Sequence, residues 1–227
     1  MQPDPLSALR SALALGPDHC PANLFAGPID AIVRGLKAHA NHISHARHVA
    51  LEETYPRTRD LLGGEDFHRA AEMHLSDVTV LRQPPARVGI GFAGRLTGAG
   101  RDLAAVEWAW LEAHGSADAI ALDLAAIAGL TTEQVAAAIV SRHPAVRRVD
   151  LACPAAFAWD GLAMPAATIL VSRPRATVFV TAIDPAIRLM IEQLNRPLPL
   201  GDLLDRDPTA ATALVTTGAL MIHPETL

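Results

Sequence analysis

Long apolar runs, abundant cysteine and a surplus of basic charge are all missing from this chain, and each absence narrows what it can be. No uninterrupted apolar stretch approaches the roughly 18 residues of a membrane span. The N-terminal Met-Gln-Pro-Asp-Pro has neither a basic segment nor a long apolar one, so secretion is disfavoured and a cytoplasmic location is the expectation. Only two cysteines occur, Cys20 and Cys153, each followed by proline and far apart, so CxxC metal spacing is absent and free thiols are expected. Net charge is −5; residues 1–140 hold 11 Lys or Arg against 16 Asp or Glu, and residues 141–227 hold 8 against 8. Neither part carries the positive surplus with which proteins neutralise phosphates, so nucleic acid is disfavoured as a partner.

Catalytic motifs are missing too. There is no HExxH and no nucleophile with a base at motif spacing. Gly89, Gly91 and Gly94 match GxGxxG, but Pro84 and Pro85 stand before them and Gly98 and Gly100 interrupt the segment after them, where a dinucleotide site needs a strand and then a long helix. His39, His42, His45 and His48 recur in steps of three. That step drifts about 60° around a helix each time, so four rings cannot converge on one ion, and a structural or surface role is expected. Asp102, Glu107 and Glu112 share a helix with spacing that suits a solvated side better than paired acid and base chemistry.

What is present suits two domains: 227 residues, half of them hydrophobic, with many alanines. Helices are expected over residues 5–15, from Pro28 or Asp30 to about Tyr55 where Pro56 stops them, over 57–64, and over 65–75 with Phe67, Ala70, Ala71 and His74 or Leu75 on one side. Asp102–His114 is another, with Leu103, Val106, Trp110 and Ala113 as its inner stripe and Trp108 and Leu111 widening it. Residues 119–145 form a connecting segment with a short helix from Thr131 or Thr132 through Val140, and Arg147–Ala152 reads as a strand. The C-terminal part changes period. Residues 168–171 and 177–181 are β-branched and aromatic runs around the turn Arg173–Ala176, and Asp184 then caps a helix with Pro185 at its first position and Ile187, Met190, Ile191 and Leu194 at helical spacing. Leu198–Leu204 and Pro208–Val215 give two more helices, Gly218 ends the last, and Ala219–Ile222 returns as a strand. The expected fold class is α+β: an N-terminal all-helical domain (1–118), a connecting segment (119–145) and a small winged-helix-like α/β domain with a short antiparallel sheet (146–227).

Four stretches and two short motifs carry a resemblance. Residues 35–41, 52–67, 91–96 and 103–118, with the Arg173-Pro174 hairpin and the terminal Gly218-Ala219-Leu220, resemble successive landmarks of the HvfC/BufC N-terminal family, long labelled as DNA-binding. The likeness spans nearly the whole chain. It departs where that family usually has a Tyr and a run of Asn and this sequence has His39, Ala40, Asn41 and His42. The resemblance implies a non-catalytic partner of a multinuclear non-heme iron-dependent oxidase, the two forming a heterodimer that modifies ribosomally made precursor peptides such as bufferins and, more distantly, methanobactin. It implies no cofactor in this chain, the iron belonging to the partner enzyme.

A small sheet with an edge strand can accept an extended leader peptide by strand addition. The candidate groove lies between Val178, Phe179 and Val180 on one side and the helix bearing Ile187, Met190 and Ile191 on the other; Trp108 and Tyr55 are the candidates for the enzyme interface. The acidic first part of the chain suggests a basic patch on the partner. The alternative is a winged-helix transcriptional regulator. It would need Arg, Lys, Asn or Gln on its recognition helix, and the helices after Leu198 carry Asp202, Asp205 and Asp207 against Arg206 alone.

Overall fold

The structure, a computed structural model, describes Asp4, residues 6–9, Ala12, residues 25–162 and residues 166–222. The expected helix over residues 5–15 lies mostly outside these. The chain divides into two compact units, Met1–Arg95 and Leu96–Leu227.

The first unit is helical. α1 (Ile29–Thr54) runs 26 residues and ends at Tyr55, whose φ of −124° and ψ of 50° leave the helical region. The cause is local: a residue before proline is pushed out of α conformation, and Pro56 opens α2 (Pro56–Leu62). α3 (Gly64–Leu75) buries Phe67, Ala70, Ala71, His74 and Leu75, the side read from the sequence. Asp77 then caps α4 (Val78–Leu81) by accepting the Thr79 N–H at 2.9 Å. The glycine-rich stretch beyond it folds into 3-10 turns, Pro85–Arg87 and Phe92–Arg95. Phe92 is fully buried, and the rings of Tyr55, Phe67 and His74 lie 4.9, 5.4 and 5.4 Å from it. Aromatic rings at such separations attract beyond their buried area, so Phe92 is the hub of this core.

The second unit is α+β and holds two separate three-stranded antiparallel sheets. α5 (Gly98–His114) is followed by α6 (Leu124–Ala128) and α7 (Thr132–Ala137), the latter closed at its start by a reciprocal Thr131–Gln134 capping box. The strands are β1 (Ile139–Arg142), β2 (Arg147–Asp150), β3 (Thr168–Ser172), β4 (Phe179–Ile183), β5 (Leu198–Pro199) and β6 (Leu220–Ile222). Between them lie α8 (Pro185–Gln193), α9 (Leu200–Arg206) and α10 (Pro208–Thr216). One sheet has the order β5-β1-β6, the other β2-β3-β4.

Three expectations change here. The closing strand β6 pairs with β1 and not with the β3–β4 hairpin. Ile139 and Val140, read as the end of a helix, instead open the strand Ile139–Arg142, because Ala138 turns extended (φ −60°, ψ 118°) and β5 and β6 flank the residues after it. And the division falls at residue 95, not 118. α5 belongs with the sheets because Leu103, Val106, Ala109 and Ala113 pack against Ile169 and Val171 of β3. The opposite face of β3 supplies Leu170 to a second core with Ile183, Ile187, Ile191, Leu203 and Leu214. β3 is thus buried on both faces, which explains its unbroken Thr-Ile-Leu-Val sequence.

Two of the recognised motifs lock together in space. The Arg173 guanidinium donates to Ala113 O (3.0 Å) and Ser116 O (2.7 Å) and pairs with Asp118 (2.9 Å), so it caps the C-terminus of α5. Next to it Pro174 abuts Gly218, and the Ser172 hydroxyl donates to Thr217 O at 2.7 Å.

Candidate functional site

The candidate site is the outer edge of β4, which no strand among the described residues pairs. Each sheet has two edges, and three of the four are closed or blunted. β5 is only two residues long. β6 is covered on its outer side by Ala121, which bridges Met221, and by Leu122, whose N–H reaches Leu220 O at 2.8 Å. β2 carries charge along its length: Arg147 pairs with Glu112, and Arg148 pairs with Asp150 and Glu192. Charged side chains on an edge are a standard guard against strand pairing. β4, Phe-Val-Thr-Ala-Ile, has no charge, no proline and no glycine.

The ladder phase says which main-chain groups of β4 are free. Leu151 donates its N–H to Ala167 O at 2.9 Å, one step beyond the Asp150–Thr168 pair. Bonded and non-bonded pairs alternate in an antiparallel ladder, so Ile169 and Val171 direct their N–H and C=O groups to β2, while Thr168, Leu170 and Ser172 direct theirs to Ile183, Thr181 and Phe179. Val180 and Ala182 therefore turn their N–H and C=O groups outward. Among the described residues neither has a backbone partner on that side.

Side chains alternate the other way. Val178, Val180 and Ala182 pack half-buried against the α5-side core, with Trp159 and Leu162 beside them. Phe179 and Thr181 point to the α8 side, and Phe179 is 50% exposed at the start of the strand.

The proposed groove does not assemble. Val178 and Val180 face α5, whereas Ile187, Met190 and Ile191, at 9%, 4% and 2% exposure, are core residues on the other side of the sheet. The period-2 alternation along β4 separates them, so only Phe179 and the backbone of Val180 remain from that set as an accessible surface. Tyr55 is likewise not a surface residue: it is fully buried and its hydroxyl donates to Gly89 O at 2.6 Å. Trp108 is half-buried. Trp110, read as an inner residue, is partly exposed and stacks on His114 at 5.3 Å, the small Ala109 taking the place against the sheet.

Neither a matching family model nor a matching curated protein was found for this chain.

The other candidates resolve into structural roles. Asp102 and Glu107 are buried, contrary to the solvated side read for them. Asp102 accepts the N–H groups of Ala152 (3.0 Å) and Cys153 (2.6 Å), which pins the loop after β2 to α5. Glu112 is on the surface, paired with Arg147. His39, His42 and His45 lie exposed along α1, while the half-buried His48 bonds through Nδ1 to Ser44 O at 3.0 Å. Among the described residues no group of three or more His, Cys, Asp or Glu side chains is placed to hold a metal ion, and no helix is long and apolar enough to cross a membrane. A hollow of about 500 Å³ beside α1, lined by Leu9, Phe25, Ile32, Leu36 and His39, gathers no set of polar groups.

His74 was missed as a distinctive group. It is buried, its Nε2–H donates to Val88 O at 2.7 Å, and Nδ1 has no partner among the described residues. Burial pushes its pKa down. The Val88 contact and Asp77 oppose the shift, and Arg95 adds to it.

Proposed function

We propose that this chain is a non-catalytic recognition subunit that takes an extended precursor peptide as an added strand on β4 and presents it to a multinuclear iron-dependent oxidase, with which it forms a heterodimer in the cytoplasm. The observation that supports the reading is the uncharged β4 edge, with the N–H and C=O groups of Val180 and Ala182 turned outward and Phe179 half-exposed beside them. Strand addition draws affinity from main-chain hydrogen bonds and specificity from alternate side chains, which suits recognition of a leader segment. The likeness to the HvfC/BufC family supplies the oxidase and the peptide class.

The DNA-binding reading has less to stand on. α10, the helix that would enter a groove, is Pro-Thr-Ala-Ala-Thr-Ala-Leu-Val-Thr and has no cationic or amide side chain with which to read bases.

The test is co-expression of the tagged chain with the oxidase and precursor peptide encoded by neighbouring genes, with mass spectrometry and an iron assay on the eluate. Co-purification of both is expected. Ala182→Pro removes an outward N–H and leaves the β3 ladder in place, since proline is tolerated on an edge strand when its nitrogen faces solvent. It should lose the peptide at unchanged circular dichroism. Full peptide capture by a folded Ala182→Pro chain would rule out β4 as the site, and a chain that elutes alone beside soluble partners would rule out the recruitment role.

A further inference from the structure

The sequence of β4 is complementary to itself. We propose that in the absence of a peptide the β4 edge pairs with the β4 edge of a second copy, antiparallel and about a two-fold axis at Thr181. Centring the axis there overlaps the whole strand. Phe179 of each copy then faces Ile183 of the other, Val180 faces Ala182, and Thr181 faces Thr181.

This register agrees with the ladder phase. The outward N–H and C=O groups belong to Val180 and Ala182, and in this arrangement those two residues face each other across the axis and exchange both bonds. Thr181 and the Phe179–Ile183 pairs fall at the non-bonded positions, where side chains approach most closely. Aromatic with β-branched and Thr with Thr are favourable cross-strand pairs, and no like charges meet anywhere along the seam. A two-fold contact of one patch with itself also closes, so it stops at a dimer and does not run on into a fibre. The product is a continuous six-stranded sheet in the order β2-β3-β4-β4-β3-β2, whose outer edges are the charged β2 strands. A seam one short strand long buries little area, so the dimer is weak and depends on concentration.

The proposal stands apart from the peptide reading, since it needs only the protein. If both hold, peptide and second copy compete for one edge.

Sedimentation of the purified full chain alone, over about 1 to 200 µM, reads the outcome directly. The mass should climb from that of the 24.0 kDa chain toward twice that value. Thr181→Lys and Thr181→Glu each place like charges across the axis and should stay monomeric at every concentration with unchanged circular dichroism. Mixed in equal amounts they should form a heterodimer at least as readily as the parent chain. A parent chain that stays monomeric, a Thr181→Lys chain that still dimerises, or folded variants that fail to pair when mixed would each overturn the proposal.

Discussion

Among the described glycines, Gly218 is where one added methyl group would meet its neighbours most closely. Its φ is +66°, a left-handed conformation that costs an L side chain about 1–2 kcal/mol, and a Cβ there would sit 2.2 Å from Pro174 Cβ. Something must move, and overpacking of this kind costs a further ~1–3 kcal/mol. Gly218→Ala should therefore lower stability by roughly 2–5 kcal/mol in urea unfolding, the two costs together. A change below about 0.5 kcal/mol, the range of an ordinary surface substitution, would show that the hairpin and the α10–β6 corner are not interlocked. His74 is the second informative residue. Its native pKa lies below the ordinary histidine value, so the unfolded chain binds more protons than the native one at mildly acid pH. Its contribution to stability is complete above about pH 6.5 and declines as pH falls from there through the depressed native value. His74→Gln keeps a donor for Val88 O and removes the titration. The parent should lose more stability than this variant between pH 7.5 and pH 5, a window above the acid range in which Asp77 and Glu133, both with lowered pKa, titrate.

At the level of the elements, Arg173 ties the turn after β3 to the end of α5. A buried guanidinium that bonds two helix-terminal carbonyls is hard to replace: Arg173→Ala leaves Ala113 O and Ser116 O without that donor, and losses of about 1–3 kcal/mol for each charged hydrogen bond are usual. Arg173→Lys replaces the planar fork, whose Nε and Nη2 each bond one carbonyl, with a single ammonium and should recover only part, as thermal melts of the two variants would show. The same region marks what the sequence made legible. β3, α8 and α10 were readable because local signals agreed with tertiary placement: Asp184 and Asp207 cap helices with proline at the first position, and Thr168–Val171 is a continuous β-branched and apolar run. β1 was not readable. Its Ile-Val-Ser-Arg comes after an alanine-rich helix, and only pairing with β5 and β6, residues nearly 60 and 80 positions away, makes it a strand. The candidate groove failed for a related reason. Sequence placed Val178–Val180 next to Ile187–Ile191, but the face each side chain takes depends on β3 being buried on both sides, and that depends on α5.

On the scale of the whole molecule, this dependence fixes where the chain can be cut. Residues 119–227 contain every strand found among the described residues but lack α5. Without Leu103, Val106, Ala109 and Ala113, the face of the sheet formed by Ile169, Val171 and Val180 loses the helix packed on it and keeps only neighbours such as Leu151 and Phe157, and Arg173 loses the carbonyls of Ala113 and Ser116. An apolar sheet face and a buried cation without its partners both act against folding, the second by several kcal/mol. A fragment of residues 96–227 restores them all and matches the second compact unit. It should be soluble and unfold in a single urea transition, whereas 119–227 should aggregate or show no cooperative transition. Equal, cooperative transitions from both fragments would mean that α5 is an accessory to this unit and not part of its core.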